Sequence, residues 1–478
     1  MRQPKYLHST WGLYVKDAET GEVIHDLNSD QMFLPASTTK LFSVAALLHA
    51  YGDDFRFKTP VFALGSVEKE VLYGNLILVA QGDLTFGGRQ DNRSDSIAFT
   101  DLDHTIANNV PGVTLTKQNP LNALNALAKQ IKDKGIKEID GDVLIDDRLF
   151  QIDQKRDTVL SPIMINENLI DIVLNPSEVD KNAELMWRPQ VPGYNVSNEV
   201  KTVSKDQPMR IEVSADALGR NILVRGTIPI GQKDVVRTFS ITDPNHFARS
   251  AFIQALQNQG IAVRIKASKL PAQNAFHGVL PIAVWISPPL SEYAKLILKV
   301  SHNLGANLIP LLLAVRNGQK TFAEGMQDLG KFVMDEVKLP RDAFVFIDGA
   351  GGDENRLTPQ AELHLLQYMI KCPAGQFRAF FDALPIMGVD GSLADFAKGT
   401  AAAGKVRAKT GTGVSFNIAA NQFFLTTQAL AGYIEGRNGH LLEFMVVVNN
   451  GSMPAIVDIF PIFEDQSQIA AFIYDSVK

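Results

Sequence analysis

The sequence predicts an α+β fold in which one main domain is split in two by inserted material. Three observations carry this. Alternating apolar strands mark both ends of the chain, and helical periodicity returns between them from Ser287 onward. Three short polar signals, Ser37-Thr-Thr-Lys40, Ser301-His-Asn303 and Lys409-Thr-Gly411, stand in order, 264 and then 108 positions apart at their first residues. The 478 residues also amount to three domains at about 150 residues each.

Each element has a local reason. Trp11-Gly-Leu-Tyr-Val-Lys-Asp17 and Glu22-Val-Ile-His-Asp26 alternate, flank Glu19-Thr-Gly21 and read as a β-hairpin. Pro35 and Ser37 stand where a helix should start, and Leu41, Ala45 and Leu48 recur at helical spacing, which puts Ser37 at a helix N-terminus and Lys40 one turn on. From about Lys58 the texture is that of strands. Gly87 to Asn119 is polar and turn-rich and reads as a long, mobile loop or insertion. Two similar units, Leu124–Gly135 with the strand at Gly141–Asp146 and Ala248–Gly260 with the strand after Ile261, each give a helix, a glycine stop and a strand, a pseudo-repeat inside one domain. Strands dominate from Ile165 to Asp243. Near the C-terminus, the Gly436-Arg-Asn-Gly439 turn closes a hairpin between Ala429–Glu435 and Leu442–Asn449, and Ile469-Ala-Ala-Phe-Ile-Tyr reads as a core-packing helix. The expected layout is a catalytic domain at 1–62 and 283–478, an inserted α/β domain at 63–163 and 245–282, and a nested β-rich domain at 164–244.

Composition excludes several classes. Hydrophobic residues at 45% and charged residues at 21% exclude a disordered chain. A net charge of −6 argues against a nucleic-acid partner. A single cysteine, Cys372, excludes an internal disulfide and a cysteine-rich metal site, and is expected to be inert. The nine histidines include no His-Glu-x-x-His, so no metal or cofactor is expected. Met1-Arg-Gln-Pro-Lys lacks the apolar stretch of a signal peptide and no window is apolar enough to span a membrane, so the chain is expected to be cytoplasmic or a mature or truncated form.

The three signals make chemical sense together. A serine hydroxyl needs a base to become a nucleophile, and a lysine one turn away serves if it is neutral. Burial and a second cation, Lys409, favour that form. The helix start offers the Ser37 N–H to a developing oxyanion, and Thr412 supplies a second N–H. The Thr410 and Thr412 hydroxyls beside Lys409, on the strand through Gly411, suit a substrate carboxylate. Asn303 orients a peptide bond, and Ser301 relays a proton to a leaving amine. Decoys fail on context: Ser66-Val-Glu-Lys69 lies among strands, and Ser415-Phe-Asn417 follows Lys-Thr-Gly and breaks the order. Gly399-Thr-Ala-Ala-Ala-Gly404 is one residue too short for a phosphate loop.

Ser-x-x-Lys with Lys-Thr-Gly is a signature of penicillin-binding proteins and β-lactamases. Pro35-Ala-Ser-Thr-Thr-Lys40, Gly82-Asp-Leu-Thr85, Gly141-Asp-Val-Leu-Ile-Asp-Asp147, Ser287-Pro-Pro-Leu290, Asp348-Gly-Ala-Gly351, Leu357-Thr-Pro359 and Gly404-Lys-Val-Arg-Ala-Lys-Thr-Gly-Thr412 extend the likeness across nearly the whole chain. Together they resemble the penicillin-binding protein 4 type of D-alanyl-D-alanine carboxypeptidase/endopeptidase, the DacB family. The resemblance implies a transpeptidase-like domain, an antiparallel sheet flanked by helices, with two nested domains between the first and second motifs. It implies hydrolysis of peptidoglycan stem peptides through an acyl-serine on Ser37, β-lactams as covalent inhibitors, a periplasmic or envelope location, and leaves loose membrane association and a homodimer open. Three departures stand out. His302 replaces the usual acidic residue of Ser-x-Asn and is expected to be partly exposed. Gly352-Asp-Glu-Asn355 is one residue shorter than its family counterpart and lacks its arginine, for which Arg356 is the nearest substitute. Gly82-Asp-Leu replaces Gly-Asp-Pro. Asp348-Gly-Ala-Gly351 reads as a turn lining the cleft, with a calcium loop as the alternative. A compact serine β-lactamase and a catalytically silent binding protein are the rival readings; the inserted length opposes the first and the intact motif set the second.

Overall fold

The computed structural model describes residues 3–90, 94–155, 158–276, 278–437 and 439–477. Met1 and Arg2 of the N-terminal reading, 91–93 of the long loop and Asn438 of the last hairpin turn lie outside them. The chain forms two compact units, one of Met1–Phe55 with Pro289–Lys478, the other of Arg56–Pro288. The expected boundary at residue 62 falls within a strand of the second unit.

The first unit begins with β1 (Thr10–Asp17) and β2 (Val23–Leu27), the expected hairpin. A short turn of 3-10 helix, Ala36–Thr38, leads into α1 (Thr39–Tyr51). Leu41, Phe42, Val44, Ala45, Leu47 and Leu48 are all buried, so α1 is apolar all round and sits inside the unit rather than on its surface. It stops at Gly52, whose positive φ of 83° turns its N–H back onto Leu48 O.

The second unit carries a six-stranded sheet built from β3 (Lys58–Glu68), β4 (Val71–Val79), β5 (Glu138–Gly141) and β6 (Val143–Asp146), with α2 (Asn122–Asp133) between β4 and β5. Two three-stranded sheets follow. One holds β7 (Leu169–Asn175), β8 (Glu184–Arg188) and β12 (Val235–Ser240); the other holds β9 (Asn195–Val203), β10 (Arg210–Ala215) and β11 (Asn221–Pro229). α3 (Pro244–Asn258), β13 (Ala262–Ile265) and β14 (Ala283–Ile286) return the chain to the large sheet. The strand that directly follows the first helix and Gly135 is β5 rather than the expected Gly141–Asp146, and β13 of the second unit pairs in parallel with it, Ala262 opposite Glu138. Gly135 and Gly260 both end their helices at positive φ, 87° and 81°. One apolar cluster runs from Leu76, Leu127 and Phe252 to Ile172, Val200 and Val224, so residues on both sides of the expected 164–244 boundary share a core.

The stretch expected to be a mobile loop is pinned. Arg89 forms paired bonds to Asp103 (2.7 and 2.9 Å) and to Glu167 (2.7 and 2.6 Å). His104 lies between Asp171 and Glu167, 2.6 Å from each. All five side chains are buried.

The rest of the first unit holds α4 (Leu290–Lys299), α5 (Asn303–Arg316), α6 (Pro359–Lys371), α7 (Ala374–Ala383), the strands β15 (Val406–Asn417), β16 (Gln422–Glu435) and β17 (Leu441–Ser452), and α8 (Ile459–Ser476). Its antiparallel sheet has the order β15-β16-β17-β1-β2, so the last strands pair with the first and close the split domain. Strand alternation sets two faces. Phe444, Val446 and Val448 join Leu13, Val15, Ile434 and, from α8, Ile462, Ala470 and Ile473 in one core. Each such aliphatic side chain contributes about 1.5–3 kcal/mol relative to exposure. On the other face Tyr433 Oη donates to Leu366 O of α6 at 2.8 Å. β15 is an edge strand, and its middle, at Gly411, lies against the turn that carries Ser37.

Candidate active site

Ser37 lies in the turn before α1, and Lys40 in the first turn of that helix, fully buried. Ala36 before the serine takes φ +45°, a left-handed conformation rare for a residue with a side chain. Gly351 makes that turn possible: a Cβ there would lie 1.8 Å from Ala36 O. Lys40 Nζ donates to Ser37 Oγ at 2.6 Å, to Asn303 Oδ1 at 2.8 Å and to Ala350 O at 2.8 Å. A neutral amine keeps two N–H groups and one lone pair. In that form Asn303 Oδ1 and Ala350 O would take the two N–H groups and leave the lone pair for the serine hydroxyl.

The Ala350 carbonyl comes from a turn built by one carboxylate. Asp348 Oδ1 accepts from the N–H groups of Ala350, Gly351 and Gly352 at 3.1, 2.8 and 2.9 Å. That bonding makes it a structural turn rather than a cation loop. Ser43 Oγ donates to Gly349 O at 2.7 Å and ties the turn to α1. Arg356 turns back on the same stretch, donating to Asp353 O and Asn355 O.

The second motif sits between α4 and α5. Ser301 is also left-handed, φ +59°. His302 is fully buried rather than partly exposed, because it caps α5: its Nδ1 accepts from Gly305 N–H at 3.0 Å, the place an acidic residue fills equally well. Asn303 opens the helix and reaches Lys40.

The third motif lies on β15. Lys409 is buried and donates to Ser301 Oγ at 2.9 Å and to Thr410 O at 2.6 Å. Burial first, and then the Lys40 ammonium, push Lys409 well below the ordinary lysine range. Two buried amines this close favour one positive charge over two. Gly411 is required by packing: a Cβ would lie 2.2 Å from Pro35 O and 3.2 Å from Ser37 N. Thr410 is buried with its hydroxyl 2.9 Å from Ser392 Oγ; Thr412 is exposed and donates to Gln428 Oε1 at 2.9 Å.

The structure therefore gives two sets of contacts, Lys40 with Ser37 and Asn303, and Lys409 with Ser301, joined through the Ser301-His-Asn303 backbone, with Gly411 against the turn that carries Ser37. Sequence reasoning missed Ala350, Asp348 and Ser392 as partners. The Asp-Gly-Ala-Gly run signalled a tight turn; nothing in sequence said that its carbonyl holds Lys40. Glu362 on α6, fully buried, is pushed up to about 8 by burial, partly offset by Thr38, and stands behind the turn as a neutral acid. A cavity of about 490 Å³ is lined by Asp53, Lys295, Lys299, Arg378 and Asp390, not by Ser37. Among the described residues, Asp103, His104 and Glu167 of the second unit form a group with metal-ligand atoms. Its donor set does not suit a cation: Arg89 occupies both carboxylates, and both His104 nitrogens face carboxylates as an imidazolium would.

A serine 2.6 Å from a buried lysine, beside an antiparallel sheet, is the arrangement found in serine acyl-transfer hydrolases. The sequence pattern of the D-Ala-D-Ala carboxypeptidase 3 (S13) family matches residues 1–460, and the chain belongs to that family. It is a serine-type D-Ala-D-Ala carboxypeptidase. It is 25% identical to a D-alanyl-D-alanine carboxypeptidase of Actinomadura sp., over 93% of this chain and 78% of that protein. It is 24% identical to the D-alanyl-D-alanine carboxypeptidase DacB of Haemophilus influenzae, over 80% of this chain and 76% of that protein. The crystal structure of penicillin binding protein 4 (dacB) from Haemophilus influenzae shares its fold, with a TM-score of 0.72 at 21% identity, covering 94% of this chain and 92% of that one.

Proposed function

We propose that this carboxypeptidase acts on peptidoglycan stem peptides, removing the terminal D-alanine and cleaving the equivalent cross-links, through an acyl-enzyme on Ser37. The 2.6 Å contact between Lys40 Nζ and Ser37 Oγ carries the reading. Neutral Lys40 takes the Ser37 proton as Oγ bonds to the substrate carbonyl carbon. The Ser37 and Thr412 N–H groups hold the oxyanion. As the C–N bond breaks, the Ser301 hydroxyl gives its proton to the leaving amine and is reprotonated from Lys409, and the proton that Lys40 took from Ser37 returns to Lys409 by the end of the cycle. Water then adds to the ester and the Oγ–C bond breaks, which releases a carboxylate and restores the serine. Asn303 orients the substrate amide. Thr412, exposed on the strand through Gly411, and Thr410 beside Lys409 receive the terminal carboxylate.

β-Lactams are proposed to acylate the same serine; the Haemophilus influenzae protein has been crystallised with one bound. Family membership is also what supports a periplasmic or envelope location. No helix of the described residues is long and apolar enough to cross a membrane.

Intact mass after incubation with benzylpenicillin, followed by muropeptide digestion, tests the proposal. A stable adduct on wild type, none on Ser37→Ala, and D-alanine release by wild type alone are expected. D-alanine release by Ser37→Ala would sink it. Rapid penicillin turnover without a lasting adduct would favour a β-lactamase.

A further inference from the structure

We infer that an ion pair between the buried Lys299 and the half-buried Asp390 is a clamp that holds Ser301 against Lys409, which makes both its members positioning residues for proton delivery to the leaving amine. The inference rests on the roles proposed above for Ser301 and Lys409.

Lys299 ends α4, two residues before Ser301, and is 1% exposed. Its Nζ lies 2.6 Å from both carboxylate oxygens of Asp390. Asp390 Oδ1 also accepts from Ile386 N–H at 2.9 Å, which fixes the loop that carries it. That loop runs along the free edge of β15. Pro385 O accepts from Ala408 N–H at 3.0 Å, and Met387 N–H donates to Val406 O at 3.0 Å. Beyond Asp390, Gly391 takes φ +62° and lies so close to Lys299 that a Cβ would come within 2.7 Å of its carbonyl oxygen. Ser392 then reaches Thr410, its Oγ 2.9 Å from Oγ1.

The loop thus grips β15 at Ala408 and at Thr410, the residues on either side of Lys409, and is bolted at its middle to the helix that delivers Ser301. Such a pair is weak evidence for stability, because desolvation of the buried Lys299 offsets its attraction to Asp390. Its two-oxygen geometry instead fixes orientation. Here it closes a ring of contacts whose other junction is the 2.9 Å Lys409–Ser301 bond. The backbone at Ser301 is left-handed, so that residue holds its place only where its surroundings dictate it.

The leaving group separates this role from plain structural support. An amine must be protonated to leave, whereas a thiolate leaves without a proton. Purified Asp390→Asn and Lys299→Met are assayed on a D-Ala-D-Ala peptide and on a thioester with the same acyl group. Peptide kcat is expected to fall about 100-fold with KM within about threefold, while thioester kcat falls no more than about threefold. Lys299→Arg, which keeps the charge, should recover most of the peptide rate. If the single variants misfold, the double variant Lys299→Met/Asp390→Leu, which leaves no lone buried charge, must show the same split. Equal losses on both substrates, or no loss on either, overturn the clamp. A wild-type chain that hydrolyses neither substrate overturns the proposed function, and the clamp with it.

Discussion

Lys409 Nζ lies 2.9 Å from Ser301 Oγ although 108 positions separate the two residues. The lysine hangs from an edge strand and the serine from a left-handed turn between two helices. Neither has another reason to be there: a buried amine is costly, and so is a positive φ in a serine. Burial, and then the charge that Lys40 gains on taking the Ser37 proton, push Lys409 below its usual range, which readies it to pass its proton on. Ser301→Ala is therefore expected to slow acylation by a peptide about 100-fold or more, read by single-turnover kinetics. Undiminished acylation would remove Ser301 from the proton path.

Gly411→Ala should be more damaging than its size implies. The added methyl would meet Pro35 O at 2.2 Å, and backbone cannot swing aside as a side chain does. The strand must move off the nucleophile turn and take the Thr412 N–H and Lys409 with it. A shift of about 1 Å costs about 100-fold in rate. The penicillin acylation rate, compared between Gly411→Ala and wild type, checks this.

His302 should matter for stability through its cap. His302→Ala leaves the Gly305 N–H without an acceptor at the start of α5 and is expected to cost about 1 kcal/mol, with a further loss for the cavity. His302→Asn restores an N-cap acceptor and should recover part of that. Urea unfolding of the three proteins measures the order; equal stability of the alanine and asparagine variants would contradict it.

The Arg89–Asp103–His104–Glu167 network predicts a pH dependence. Burial alone would lower His104, but Asp171, Asp103 and Glu167 outweigh it and raise it from 6.5 to about 10. Its stabilisation is complete below about pH 6.5 and is lost as pH rises toward about 10. Asp103 runs the other way. Burial opposes its ionisation, but Arg89 and His104 hold it at about 2, so its contribution is present above about 3.8 and lost as pH falls toward 2. The stability gap between wild type and His104→Gln should be largest below pH 6.5 and narrow toward pH 10. Urea unfolding across that range tests it, and a gap that widens with pH would refute it.

The sequence by itself determined the chemistry and much of the local structure. Ser37 and Lys40 are three positions apart across the start of a helix, so their contact follows from local backbone geometry alone. The two helix–glycine–strand units and the closing hairpin were legible for the same reason, since each is set by neighbours in the chain. Only the tertiary structure decided what lies far apart in sequence. Ala350 O on Lys40, Ser392 on Thr410, Asp390 on Lys299 and Arg89 on Glu167 depend on which strand edge meets which helix end. His302 was misread as partly exposed because its cap is a matter of helix geometry and burial rather than residue type. The pinned 87–119 stretch shows the same limit: its polar composition reads as loop until folding brings Glu167 and Asp171 to it. Local periodicity is encoded within a few residues, whereas the pairing of buried charges is settled only when the core closes around them.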